Sequence, residues 1–464
     1  AGGDDDDDSD DERYEVNGRV VSIKTSVLED KVQACQLITV YVEELKEGFL
    51  QYIDQVLEIF LPDLKFYFSD DVRRTVAYCM PELLRAARAV HATQARDAAW
   101  LKSVCDRVVQ GMTEALQQEP EVEIKAVLLE AIADVVGEAK DYMTQPVVLA
   151  IVAEVKKALQ ESSARRQERV ARSKTEDFTE EDAELMEDEA AEDDELFDQV
   201  AECMGAFLKA YRQQFLPVVD ELVPMVVHCL GPGRSSEERR VAICLFDDVV
   251  EYASEGGGAA KYYDVFMGPV LAACGDKEPA VRQAAVYGLG QCAEHGGERF
   301  ARHAGEAAQA LAAAVQRPGA FEEEDAAATE NAVRALGKLY DHCRPSLGDQ
   351  AAGGVLSLWL SVLPLAGEDR IETHAVHEQL VRLVEQGDPN VLGQNSLGKV
   401  VSVFADCLAK KPEDLATAET LGRMKAAIMG MQQSLAPQLL AGAWGALRPE
   451  QQQALQLAMS QPTA

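Results

Sequence analysis

Residues Asp276 to Glu294 read DKEPAVRQAAVYGLGQCAE. An acidic turn with a proline leads into Val-Arg, and then into small and apolar residues at helical spacing: Val281, Ala284, Ala285, Gly288 and Leu289. A helix whose apolar face is built from residues this small invites another helix to approach closely and cannot hide that face by itself. It must stack on neighbours of its own kind, so one such unit predicts an array of them and a molecule that works by binding.

The pattern returns along the chain. RRVAICLFDDVVEYA, VRQAAVYGLGQCAE and ENAVRALGKLYDHC superimpose with Asp248, Gly290 and Gly337 at one position, in steps of 42 and 47 residues. DDVRRTVAYCMPELLRAAR, which contains Val72 and Arg73, repeats the Val-Arg start of Val281 and Arg282. A second register lies in the preceding helices, each of which carries a proline: Pro62, Pro224 and Pro269, the last two 45 residues apart. A helix-internal proline removes one backbone bond, so its recurrence marks one repeated element. Both registers have the period of HEAT repeats, and the expected fold is an all-α, HEAT-repeat (armadillo-like) right-handed α-solenoid.

On these registers about eight repeats run from 45 to 433 as one superhelix, followed by a helical cap over 434–464. Residues 28–44 read as the second helix of a repeat whose first helix is absent, which makes the chain a fragment, and its lack of an initiating Met agrees. Residues 1–27 read as an acidic, disordered leader. An acidic insertion over 174–196 separates the two helices of the third repeat; 13 of the 20 residues from Glu176 to Glu195 are acidic. Like charges with little to bury predict a mobile loop or a frayed helical extension.

Charge limits the partners. The 464 residues include 44 basic and 80 acidic side chains, net −36, a balance that repels nucleic acid and anionic membranes and attracts basic protein segments. The candidate basic-partner residues are Glu176, Asp177, Glu180, Glu181, Asp182, Glu187, Asp188, Glu189, Asp193, Asp194 and Glu195 of the insertion. Asp247, Asp248 and Glu251 join them, reading as part of a concave wall of second helices or as ties holding inter-helix turns. The ten cysteines occur singly, with no C-x-x-C, and read as buried thiols of a reducing compartment. The longest strongly apolar run, Val355 to Ala366, contains a proline and is too short to span a bilayer.

Nothing in the chain argues for catalysis, a cofactor or a metal. Gly288-Leu-Gly290-Gln-Cys-Ala293 matches the G-x-G-x-x-A dinucleotide pattern, but that chemistry needs a strand-to-helix turn. Here the glycines lie inside a helix and read as packing positions. His374 and His377 read as a surface pair, since no further ligand completes a zinc shell.

With these pieces in place, the chain resembles the C-terminal half of a member of the importin-beta (karyopherin-beta) family. The resemblance rests on ELKEGFLQYIDQVLEIFLPDLKFYF, DDVRRTVAYCMPELL, the acidic insertion, CLFDDVVEY, EPAVRQAAVYGLGQCAEHGGE, ATENAVRALGKL and WLSVLPL, in that order. It implies a nuclear import receptor that shuttles between cytoplasm and nucleus. It implies basic cargo such as ribosomal proteins or histones, FG nucleoporins as further partners, and cargo release by Ran-GTP, bound mainly through N-terminal repeats not present here. The alternative on the same fold is a HEAT scaffold that binds proteins without transporting them.

Overall fold

Runs of small and apolar residues at helical spacing become helices, and acceptor side chains start several of them. Ser69, Asp97, Thr179, Ser235, Asp369 and Thr417 each accept a hydrogen bond from a backbone N–H of the first turn that follows. The computed structural model describes residues 11–16, 19–175, 178–231, 233–367, 369–409 and 412–460. Two compact units divide at Pro224 and Met225.

In the first unit the helices are α1 (Thr25–Leu45), α2 (Leu50–Asp63), α3 (Asp70–Ala92), α4 (Ala98–Gln118), α5 (Val122–Ala139), α6 (Gln145–Arg172) and α7 (Glu180–Tyr211), and α8 (Leu216–Cys229) runs through the division. They form two layers: α1, α3, α5 and α7 pack side by side in that order, and α2, α4 and α6 line up behind them. Helix α1 buries Leu28, Cys35 and Val42 and leaves Leu37, Val40, Tyr41 and Leu45 exposed.

The second unit contains α9 (Ser236–Ala253), α10 (Tyr263–Ala273), α11 (Pro279–His295), α12 (Gly297–Ala301), α13 (Ala304–Val315), α14 (Glu323–Ser361), α15 (Arg370–Glu385), α16 (Leu397–Ala409), α17 (Pro412–Leu415), α18 (Ala418–Ser434), α19 (Pro437–Gly445) and α20 (Pro449–Ser460). Helices α9, α11, α14, α15 and α18 succeed one another as neighbours. Gly348, at φ 73° and ψ 162°, breaks α14 into two helices. That combination of angles is open to glycine and closed to residues with a Cβ. The described residues are all-α apart from one hairpin, and HEAT-like in their pairing.

The hairpin corrects one expectation. Residues 11–16 and 19–24 form two antiparallel strands, with Val16 opposite Arg19, and α1 begins at Thr25, where a disordered leader is predicted over 1–27. The physical reason is local: Tyr14, Val16, Val20, Val21 and Ile23 favour strands, and the sequence places Asn-Gly between them. Residues 1–10 lie outside the described residues.

The signature residues have identifiable work. Pro62, Pro224 and Pro269 lie inside α2, α8 and α10. Val72 and Val281 are fully buried. Arg73 and Arg282, at 2% and 3% exposed, tie their turns together. Arg73 donates to the Phe66 carbonyl and to Asp70, and pairs at 3.1 Å with Glu119, the residue that ends α4 ahead of the next second helix. Arg282 donates to the carbonyls of Asp276 (2.7 Å) and Lys277 (2.8 Å) and pairs with Asp325 of α14. One arginine thus satisfies the carbonyls of its own turn and anchors the repeat that follows, which explains why Val-Arg recurs.

Candidate binding face and acidic helix

The acidic insertion is mostly helix. Thr179 and Asp182 form a reciprocal cap: the Asp182 N–H donates to Oγ1 of Thr179, and the Thr179 N–H donates to the Asp182 carboxylate at 2.9 Å. The Thr179 hydroxyl, which donates to the same carboxylate at 2.8 Å, and the Thr179 N–H hold the Asp182 carboxyl below its usual range. From this cap α7 runs 32 residues without interruption, so the helical extension is favoured over the mobile loop.

Its acids divide into two kinds. Asp193 is 2% exposed and is gripped by two arginines of α6: Arg169 Nη2 lies 2.6 Å from Oδ2, and Arg165 Nε donates to Oδ1 at 3.1 Å. Arg172 Nη2 pairs with Glu189 at 2.6 Å. Asp193 is therefore committed inside the molecule, Glu189 is held in a half-exposed ion pair, and Asp194 is also engaged. Glu180, Glu181, Glu187, Asp188 and Glu195 are exposed, although Glu195 accepts from Gln199. Glu176 and Asp177 lie outside the described residues. The arginines were missed by a reading that attended to acidic composition. Their spacing, Arg165, Arg169 and Arg172 in SARRQERVARSK, places them on one helical face and was the available signal.

In the second unit, polar side chains link successive second helices. Tyr287 of α11 donates to Glu251 of α9 at 3.1 Å, Lys338 of α14 donates to Gln291 of α11 at 3.3 Å and pairs with Glu294 at 2.9 Å, and Arg334 of α14 donates to Gln379 of α15 at 2.9 Å. Asp247 neither lines an open face nor ties a turn. It is 3% exposed, and neither carboxylate oxygen has a hydrogen-bond partner. Burial, reinforced by Asp248 and Glu251, pushes its carboxyl well above the usual range. Asp248 is half-buried, and burial together with Glu251 raises it to about 7.

The glycines of the dinucleotide-like pattern lie inside α11. A Cβ on Gly288 would overlap the Asp247 carboxyl, one on Gly290 would meet Ala335 of α14 at 3.2 Å, and one on Gly337 would crowd Gln379 and the Trp359 indole. These are helix-packing positions, with no strand before them. Replacing Gly288 with Ala should cost about 1–3 kcal/mol by overpacking. Adding Asp247→Ala to that variant should recover most of the loss in urea unfolding; strictly additive losses would show that the two side chains do not meet.

The histidine expectation needs correction. His377 is buried and accessible to nothing; its Nδ1 lies 2.8 Å from the Leu415 carbonyl, and burial lowers it to about 4, so it is a neutral core residue. The carbonyl it meets lies 38 residues onward, beyond the reach of local spacing. Eight of the ten cysteines are buried and all are free thiols. Among the described residues no group of His, Cys, Asp and Glu could hold a metal ion, and no helix is long and apolar enough to cross a membrane.

Comparison with known proteins places this geometry. An importin repeat 6 model matches residues 126–232, which include the acidic helix, and a HEAT repeat model matches residues 266–296. The chain is 27% identical over 406 residues to importin subunit beta-3 of Saccharomyces cerevisiae, covering 86% of this chain and 35% of that protein. It is 24% identical over 404 residues to a probable importin-5 homolog of Dictyostelium discoideum, covering 84% of this chain and 37% of that one. The chain spans about a third of the length of these curated relatives. Among solved structures, Kap121p bound to RanGTP has a similar fold, with a TM-score of 0.73 at 21% identity over 97% of this chain and 39% of that one. Kap121p bound to Nup53p gives 0.73 at 21% identity, covering 97% and 38%.

Proposed function

We propose that this chain, a homologue of the importin-beta karyopherins, is a protein-binding segment of a nuclear import receptor that takes basic protein cargo. Its relatives are transport receptors and not enzymes. The observation that carries the reading is the division of acids on α7. Asp193 and Glu189 are paired with arginines of α6, whereas Glu180, Glu181, Glu187 and Asp188 face solvent and are available to a partner. Such acids raise the local concentration of a Lys/Arg-rich segment and speed its arrival, with a strong dependence on salt. Binding of RanGTP and of Nup53p is a property of Kap121p, and extending both partners to this chain is part of the proposal. Shuttling between cytoplasm and nucleus follows from the same reading.

The test is fluorescence anisotropy with a synthetic Lys/Arg-rich peptide. Changing Glu180, Glu181 and Glu187 to Gln and Asp188 to Asn should weaken binding about five- to tenfold at low ionic strength and much less at high. The fold should be untouched, because the buried pair at Asp193 is left in place. No binding by the parent chain, or an unchanged affinity in the variant at low salt, overturns the cargo reading. A parallel pull-down with Ran loaded with GTP or GDP separates a receptor from a scaffold by nucleotide preference.

A further inference from the structure

The seam between α9 and α11 gathers three carboxyls, and burial with their mutual repulsion holds Asp247 and Asp248 toward the neutral form. Asp247, Asp248 and Glu251 lie within electrostatic range of one another. Two phenols join them, Tyr287 donating to Glu251 from α11 at 3.1 Å and Tyr252 next to Glu251 on the same helix. The second, independent sign is Asp247 itself. It is 97% removed from solvent by its 3% exposure, both its oxygens lack partners, and Gly288 leaves the space its carboxyl occupies. Folding alone gives no reason to keep a carboxyl there, since burying a polar group without a partner costs stability.

We infer that this seam is a receptor for one lysine or arginine side chain of a basic peptide, seated on Asp248 and Glu251 with Asp247 behind them. The assignment rests on the basic-cargo reading and gives it a specific place. The geometry suits an amphipathic cation. Tyr287 is 36% exposed and presents a ring along which the side-chain stem can lie, while the two more accessible carboxyls meet its charged end. The groups facing Asp247 from other elements are Tyr287 and Cys292 on α11 and Cys274 after α10, none of them a cation. Arg240, on the same helix, acts on Cys244 and is itself engaged.

The measurement is titration calorimetry of the full chain at pH 7 with a synthetic Lys/Arg-rich peptide, run in two buffers of different ionisation enthalpy. Asp248 is partly protonated at this pH, and a cation seated on it favours the charged form, so binding should release protons. The double variant Asp248→Asn, Glu251→Gln should bind at least about tenfold more weakly and should release fewer protons. The α7 variant with its exposed acids neutralised should keep the parent's proton release. Peptide binding that is equal in parent and double variant, or that releases no protons in the parent, overturns the seam as the site while leaving the general cargo reading intact. Failure of the parent to bind the peptide overturns both.

Discussion

Replacing Arg73 with Ala should destabilise the first unit by about 3–5 kcal/mol at neutral pH, read from the urea midpoint, because it strips a buried carboxylate of its partner. Glu119 has a side chain 1% exposed, and Arg73 is paired with it at 3.1 Å while also donating to the Phe66 carbonyl. Already in the parent chain burial pushes the Glu119 carboxyl above its usual range, against the opposing influence of the Glu121 N–H and of Arg73. Without the guanidinium the shift upward grows. A carboxyl whose folded-state value lies above its unfolded one penalises the fold at high pH, and the penalty fades as pH falls through the folded value. The difference between variant and parent should accordingly shrink from pH 8 to pH 5. Glu119→Gln in the Arg73→Ala background should recover part of the loss at pH 8. A loss independent of pH would mean that the packing of the arginine stem, and not its charge, is what holds the turn.

The same arginine shows what was legible in the sequence and what was not. Val-Arg after an acidic turn is a local pattern, and helical period alone made Val72, Val281, Gly288, Gly290 and Gly337 readable as packing positions without knowing what they touch. Their partners lie far along the chain: Glu119 is 46 residues beyond Arg73, and Gln379 and Trp359 are what crowd Gly337. Spacing within one helix carries no information about those identities. Asp247 illustrates the limit most sharply. Its sequence neighbourhood, CLFDDVVEY, reads as an acidic pair on a helix face, but residues one apart on a helix point about 100° apart, and only one of the two reaches the open side. Asp248 is half-buried, Asp247 sits over Gly288 without a partner, and their roles differ accordingly. The hairpin over 11–16 and 19–24 was hidden for another reason: the acidic run before it dominated the composition, and the alternation of Tyr14, Val16, Val21 and Ile23 was the weaker signal.

Replacing Asp193 with Ala should also cost about 3–5 kcal/mol, yet with a different response to pH. Arg169 is 8% exposed, and its guanidinium is held by the Asp193 carboxylate at 2.6 Å, with the Glu189 carbonyl as a second acceptor at 3.4 Å. Removing the carboxylate leaves a buried cation. Glu119, stranded by loss of its arginine, can take up a proton; a guanidinium stays charged throughout the accessible range and cannot escape by titrating. The loss in the Asp193→Ala variant should therefore persist between pH 5 and pH 8 where that of Arg73→Ala fades, and adding Arg169→Met should restore much of the stability by removing the stranded charge while keeping an apolar stem. Urea midpoints across that pH range decide the matter. A variant as stable as its parent would mean that Asp193 does not fasten α7 to α6, and the distinction between structural and exposed carboxylates on this helix would fail with it.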